Sequence, residues 1–199
     1  MNPLNSINGT IIAGVVLAIV IGVLTMGISF NVNSLIVWIH VLAGITWIGL
    51  LYYFNFVQVP ALAEAAADTG GPGGAGISKY VAPRALAWFR WGAVVTWLSG
   101  AAYLGHLGLF VEAFTLGLAG DSAGGLLIGV GAWLGTIMLF NVWVLIWPNQ
   151  KKVLGLVEAS ADEIAKARRV AFLASRTNTL LSVPMLMSMV GFGHGGFFI

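Results

Sequence analysis

Five apolar runs, each about twenty residues long, leave few folds open to this chain. They lie at roughly 10–30, 34–57, 88–110, 124–147 and 172–193, and a helix needs about 20 apolar residues to cross the hydrocarbon core of a bilayer. In lipid the backbone must satisfy its own N–H and C=O groups, so runs of this kind become helices. Charged residues are 8% of the 199, against about 25% in a soluble domain, so little is left to clothe a water-facing surface. These features predict an all-α integral membrane protein, a five-transmembrane-helix bundle forming a single membrane domain over residues 1–199. Its solvent and first partner is the lipid bilayer, with no nucleic acid. The first run lacks a basic leader and a small-x-small cleavage site, and is expected to remain as a span. The absence of cysteine excludes disulfides, thiolate metal sites and covalently attached c-type haem within these residues.

Charge placement predicts the orientation. All nine Lys and Arg fall in two places. Lys79, Arg84 and Arg90 lie in or beside the loop 58–87, and Lys151, Lys152, Lys166, Arg168, Arg169 and Arg176 lie around the stretch 148–171. With five spans these segments share a side with the N-terminus, and the other side has only Glu112 and Asp121. The positive-inside rule then places the N-terminus inside and the C-terminus outside, in a multi-pass membrane protein. Trp38 fits the outer interface, and Trp88, Trp91 and Trp147 the inner one. The stretch "VEASADEIAKARRVAFLASR" has helical periodicity and is expected to run along the inner surface or to extend the fifth span. "GGPGGAG" at 70–76 has the composition of a flexible linker. Small residues recur every fourth position at Gly14, Ala18 and Gly22, at Gly92, Thr96 and Gly100, and at Gly125 and Gly129, which lets helices approach closely. Pro184 is expected to kink the fifth span, and Asn141 needs a partner within the fourth.

Two polar levels interrupt the apolar runs. His40, His106 and His194 all fall toward the outer side, and polar groups inside membranes are functional candidates by default. Imidazoles on neighbouring helices at one depth can be axial ligands of haem b, which needs no cysteine. His40 and His106 are the expected pair, with His194 a weaker metal ligand, and Gly44 and Trp47 line the cofactor position. Copper also suits imidazole, and a bundle with no cofactor at all is the other alternative, each histidine then making one interhelical hydrogen bond. At the inner ends of the spans stand Asn55, Gln58, Arg90, Asn149, Gln150, Arg176 and Asn178. Amides and guanidinium groups at one depth can hold an anion or substrate by charge-assisted hydrogen bonds, and they also serve as helix caps and lipid-phosphate contacts.

The stretches "HVLAGITWIGLLYYFNFVQVPA", "WFRWGAVVTWLSG", "NVWVLIWPNQKKV" and "SRTNTLLSVPMLMSM" occur in that order through four of the five runs. They resemble the membrane domain of the bacterial membrane-bound urate hydroxylase family, the urate oxidase N-terminal domain class, here without the C-terminal cytochrome c. The resemblance implies an oxidoreductase role, with urate oxidised to 5-hydroxyisourate and electrons leaving at the outer face to a separate cytochrome c or respiratory partner. A non-catalytic structural subunit of a larger respiratory or photosynthetic membrane complex, held among other membrane subunits, is the alternative. A transporter is disfavoured because no internal repeat is visible.

Overall fold

The computed structural model describes residues 2–120 and 123–196. Asp121, expected on the outer side, lies outside the described residues. No strand occurs among those described. The chain divides into two compact units, Met1–Val32 and Asn33–Ile199.

The first unit is a single apolar helix, α1, Ile7–Met26. Ser6 caps its start by accepting from the Gly9 N–H, and Gly27 ends it at φ 78°, a left-handed conformation that glycine adopts without strain. None of its residues is buried. Gly14 and Gly22 have nothing within 4 Å of the place a Cβ would occupy.

The second unit begins with α2, Val32–Tyr53, which runs on through a widened turn, Phe54–Gln58, into α3, Val59–Ala67. A second widened turn, Ile77–Val81, leads into α4, Ala82–His106. The short α5, Phe110–Phe114, precedes α6, Ala123–Phe140. A third widened turn, Asn141–Ile146, joins α6 to α7, Trp147–Val153. The last helix, α8, spans Ala161–His194, about 51 Å at 1.5 Å per residue. Ser160 and Glu163 form a reciprocal capping box at its start, and Gly195 at φ 83° ends it. The charged stretch before the fifth apolar run therefore extends that helix, and α8 continues through Pro184 as one element.

Among the described residues, three helical stretches are long and apolar enough to cross a membrane: Ile7–Met26, Val32–Ala67 and Gly124–Val153. Many large apolar side chains lie on the surface, among them Ile45, Trp88, Leu98, Phe140 and Leu180. This is the pattern a lipid solvent allows. The interior is closely packed. Trp47 and Leu51 of α2, Phe89 and Ala93 of α4, Met138 of α6 and Val142 of the third widened turn meet in one cluster and are almost wholly enclosed. Gly92 explains the tight approach of α2 to α4, since a Cβ there would lie 3.3 Å from the Trp47 backbone nitrogen.

Asparagines hold the interior where the helical ladder changes step. Asn178, fully buried, donates from Nδ2 to the Met138 carbonyl at 3.0 Å and accepts from Asn141 Nδ2 at 2.8 Å. Asn141 thus finds the partner its position demanded. Asn55 Nδ2 likewise reaches the Leu51 carbonyl at 2.8 Å. Both carbonyls lie three residues before a widened turn. Further along α8, Ser188 donates to the Leu127 carbonyl, and Ser182 meets the Tyr52 hydroxyl at 2.9 Å.

Candidate functional site

The three widened turns share a cause. Each ends two residues before a proline, at Pro60, Pro83 and Pro148. The residue just before each proline donates to the carbonyl five positions back: Val59 to Phe54, Ala82 to Ile77, Trp147 to Val142. Proline has no N–H, and its ring presses on the carbonyl four residues earlier. Widening the preceding turn to five-residue, π-type spacing relieves that contact. Such turns are rare and recur at functional sites.

All three contribute to the wall of one cavity of about 710 Å³. Phe54, Asn55 and Gln58 come from the first, Ser78 from the second and Ile146 from the third. α4 adds Phe89, which meets Phe54 edge to face with ring centroids 5.5 Å apart. Gln150 of α7 and Arg168, Arg169 and Ser175 of α8 complete the polar part. The two arginines are exposed, so that side of the cavity carries positive charge.

The amides here are not equivalent. Asn55 spends its Nδ2 on the Leu51 carbonyl and on Ser175 Oγ, each at 2.8 Å, and ties α2 to α8. Gln150 is half-buried. Gln58 is 8% exposed, and its Oε1 has no hydrogen-bond partner in the protein. A buried acceptor left unpaired costs about 1–3 kcal/mol. The enclosure therefore joins aromatic rings, a spare carboxamide and nearby guanidinium groups, a set suited to a flat anionic molecule.

The other polar residues expected at this level do not line the cavity. Arg90 stacks on the Trp147 ring, 3.4 Å from its centroid, and faces Trp143 at 6.0 Å. Arg176 is exposed and lies over Phe172 at 5.2 Å. Asn149 donates to the Leu145 carbonyl of its own helix at 2.7 Å, and Asn178 is engaged with Met138 and Asn141. Sequence reasoning missed Arg168 and Arg169 as cavity residues, and it missed the cavity itself. The available signal was the prolines, each close to a helix end and followed by good helix formers.

The histidines are arranged differently. His40 Nδ1 lies 2.8 Å from the Thr96 carbonyl of α4. A carbonyl only accepts, so Nδ1 carries the proton and the Nε2 lone pair is left over. Ser99 Oγ sits 3.3 Å from the same Nδ1 and donates to the Val95 carbonyl, which turns its own lone pair toward the ring. The imidazole packs directly on Gly100, where a Cβ would lie 2.9 Å from Cε1. Gly44, one turn from His40, faces the Thr96 methyl, and Trp47 is buried on the same face of α2 with its indole N–H unpartnered. His106 is exposed, about 9 Å beyond Gly100 along α4 and about 120° around it, and the two rings are not brought face to face. His194 is exposed and bonds the Val190 carbonyl one turn back at 2.9 Å. Among the described residues no group of three or more His, Cys, Asp or Glu converges as a metal-holding set. For a haem the donor set fits on one side only: a backbone-anchored imidazole with its outer nitrogen free is the usual arrangement of a ligating histidine, while the second axial ligand is not preformed.

A family model described as urate oxidase N-terminal matches residues 27–119 and 114–198. Searches of curated proteins and of solved structures gave no match.

Proposed function

The chain belongs to the urate oxidase N-terminal family, and from that premise we propose that it is a membrane redox domain with two stations on α2. The cavity at the widened turns takes an oxidisable flat anion of the urate type. His40, in the other half of the helix, would hold haem b, which would supply one-electron transfer toward a cytochrome c or respiratory partner. The observation that carries the substrate station is the convergence of three π-type turns on one cavity in which Gln58 is left without a partner.

In this reading α1, α2, α4, α6 and α8 are the five spans. The N-terminus lies inside and the C-terminus outside, in a bacterial cytoplasmic membrane. The cations Lys79, Lys151, Lys152, Arg168 and Arg169 support it, because all lie on the segments beside the cavity, where a cytoplasmic surface would gather them. Hydroxylation of urate by water releases two electrons and two protons. A haem supplies one-electron transfer when bound. The protein's own part is to hold the anion between Phe54, Gln58 and the α8 arginines, and to keep the His40 ring oriented by Thr96 and Ser99. Gln58 and His40 are separated by about 27 Å of helix, so the stations are distinct. The Nε2 lone pair suits copper as well.

The test is a reduced-minus-oxidised spectrum of the purified chain with metal analysis. Wild-type protein should show a b-type α-band and contain iron. Copper without iron would replace the haem. Folded protein supplied with haem that shows neither metal nor band would leave the non-catalytic subunit as the reading.

A further inference from the structure

We propose that Arg90 and Lys151, gathered at the Trp147 ring, form a binding site for the phosphate of an anionic phospholipid. The observation behind it is two cations held at one indole with no carboxylate beside them.

The Arg90 guanidinium of α4 lies 3.4 Å from the centroid of the Trp147 ring, and the Lys151 ammonium of α7 lies 5.9 Å from it. An indole face attracts a cation but carries no net charge, so it leaves the repulsion between the two uncancelled. Among the described residues Arg90 makes no ion pair or hydrogen bond. Its Nε is enclosed, whereas its two terminal nitrogens reach the surface and find no acceptor in the protein. Lys151 is half-buried and likewise lacks a carboxylate among the described residues. Its neighbour supplies the contrast: Lys152 pairs with Glu163 Oε1 at 3.4 Å. Of two adjacent lysines, one has its charge matched inside the protein and the other does not.

The depth of the pair says which anion is at hand. Trp88 and Trp91 are exposed on α4, two residues before Arg90 and one after it. Exposed tryptophans on membrane helices mark the boundary between hydrocarbon and head groups. Trp91 meets Trp143 edge to face at 5.6 Å, and Arg90 lies 6.0 Å from that same Trp143 ring, so rings from two elements hold the cation at this level. Lipid phosphate lies there. A guanidinium can grip it by two parallel hydrogen bonds, and an ammonium attracts it as a point charge. The exposed Val95 and Leu98, further along α4, offer an apolar surface for the acyl chains. A zwitterionic lipid brings an ammonium of its own, which would be a third cation at the site. Phosphatidylglycerol brings none, and should be preferred.

The experiment places the full chain in bilayers of phosphatidylcholine and bromine-labelled phosphatidylglycerol. Quenching of tryptophan fluorescence then gives the binding of one lipid relative to the other. Wild-type protein should prefer phosphatidylglycerol by roughly 5- to 30-fold. Lys151→Gln and Arg90→Gln should each cut that preference by about 5-fold, whereas Lys152→Gln should leave it nearly unchanged. The thermal midpoint of each variant reports that it is folded, and the two lysine variants carry the test should Arg90→Gln fail to fold. No preference in wild-type protein overturns the site. Equal losses in Lys151→Gln and Lys152→Gln overturn it as well, assigning the attraction to diffuse surface charge. Inorganic phosphate, compared with chloride at matched ionic strength, should not reduce the preference, because acyl chains anchor the lipid. Its loss there would reassign the cations to a soluble anion and overturn the lipid.

Discussion

On α2 the His40 ring packs on Gly100 with its Nδ1 anchored to a backbone carbonyl; in the widened turn that follows α2, Gln58 stands beside a cavity of about 710 Å³ with an acceptor unsatisfied. Both are polar residues in an apolar helix, and both looked equally like ligands in the sequence. What separates them is packing. Near His40 a run of small residues on α4, Gly92, Thr96 and Gly100, draws the helices together until the imidazole fills the gap. Near Gln58, residues of three π-type turns line one cavity. Helices in lipid associate through packing rather than through exclusion of water, so a local change of backbone step converts directly into a void.

The largest effect expected from this comparison is at the histidine end. His40→Ala should abolish the b-type absorbance, whereas His106→Ala should retain most of it, because His40 has its ring held between helices with the outer nitrogen free, and His106 is exposed beyond it. Equal loss in both variants would show that the helices rearrange to bring the two imidazoles together on the cofactor. Asn178→Leu comes next. It strips the donor from the Met138 carbonyl and the acceptor from Asn141, both within the bundle, and should cost about 1–3 kcal/mol in reversible unfolding. A neutral result would mean that the widened turn relaxes to an ordinary helix without it.

Pro60→Ala addresses the cavity directly. It restores an N–H and removes the ring that widens the turn, so the backbone can return to four-residue spacing and carry Gln58 off the wall. Urate binding should fall several-fold while thermal stability is unchanged or rises by about 1 kcal/mol or more. Binding that is unaffected would separate the proline from the cavity. The smallest effect concerns the cap of α8. Glu163 accepts from the Ser160 backbone, from Ser160 Oγ and, at 3.4 Å, from Lys152, and these contacts hold its carboxyl below the usual glutamate range, the backbone bond first. A depressed folded-state pKa stabilises above the ordinary value and is lost as pH falls through the depressed one. The thermal midpoint of Glu163→Gln should lie slightly below wild type at neutral pH, and the gap should close as pH falls below the usual glutamate range. A gap independent of pH would assign the effect to packing instead.

Much of the helical framework was legible from composition. The apolar runs fall largely on helices, the charged stretch 157–176 was readable either as a surface helix or as an extension of the last run, with the fold choosing the extension from Ala161, and Asn141 was marked as needing a partner. The site was read less well, for a reason visible in single residues. Asn55, Gln58, Asn149, Gln150 and Asn178 are alike in a sequence, since each is an amide near a helix end. In the fold Asn149 bonds its own helix, Asn55 bonds Leu51 and Ser175, Asn178 bonds Met138 and Asn141, and only Gln58 and Gln150 line the cavity with no bond to the protein shown. Arg90 and Arg176 were expected beside the anion, but they stack on Trp147 and Phe172, while Arg168 and Arg169, one helical turn or more away, line the wall.

The sequence by itself determined what depends on near neighbours along the chain: apolar helices and a cap at Ser160, whose contacts reach only three residues on. Which polar group is used up and which is spare was decided only by tertiary structure. A hydrogen bond between Asn55 and Ser175, or between His40 and Thr96, joins residues far apart in the chain, and its existence turns on how closely two helices pack.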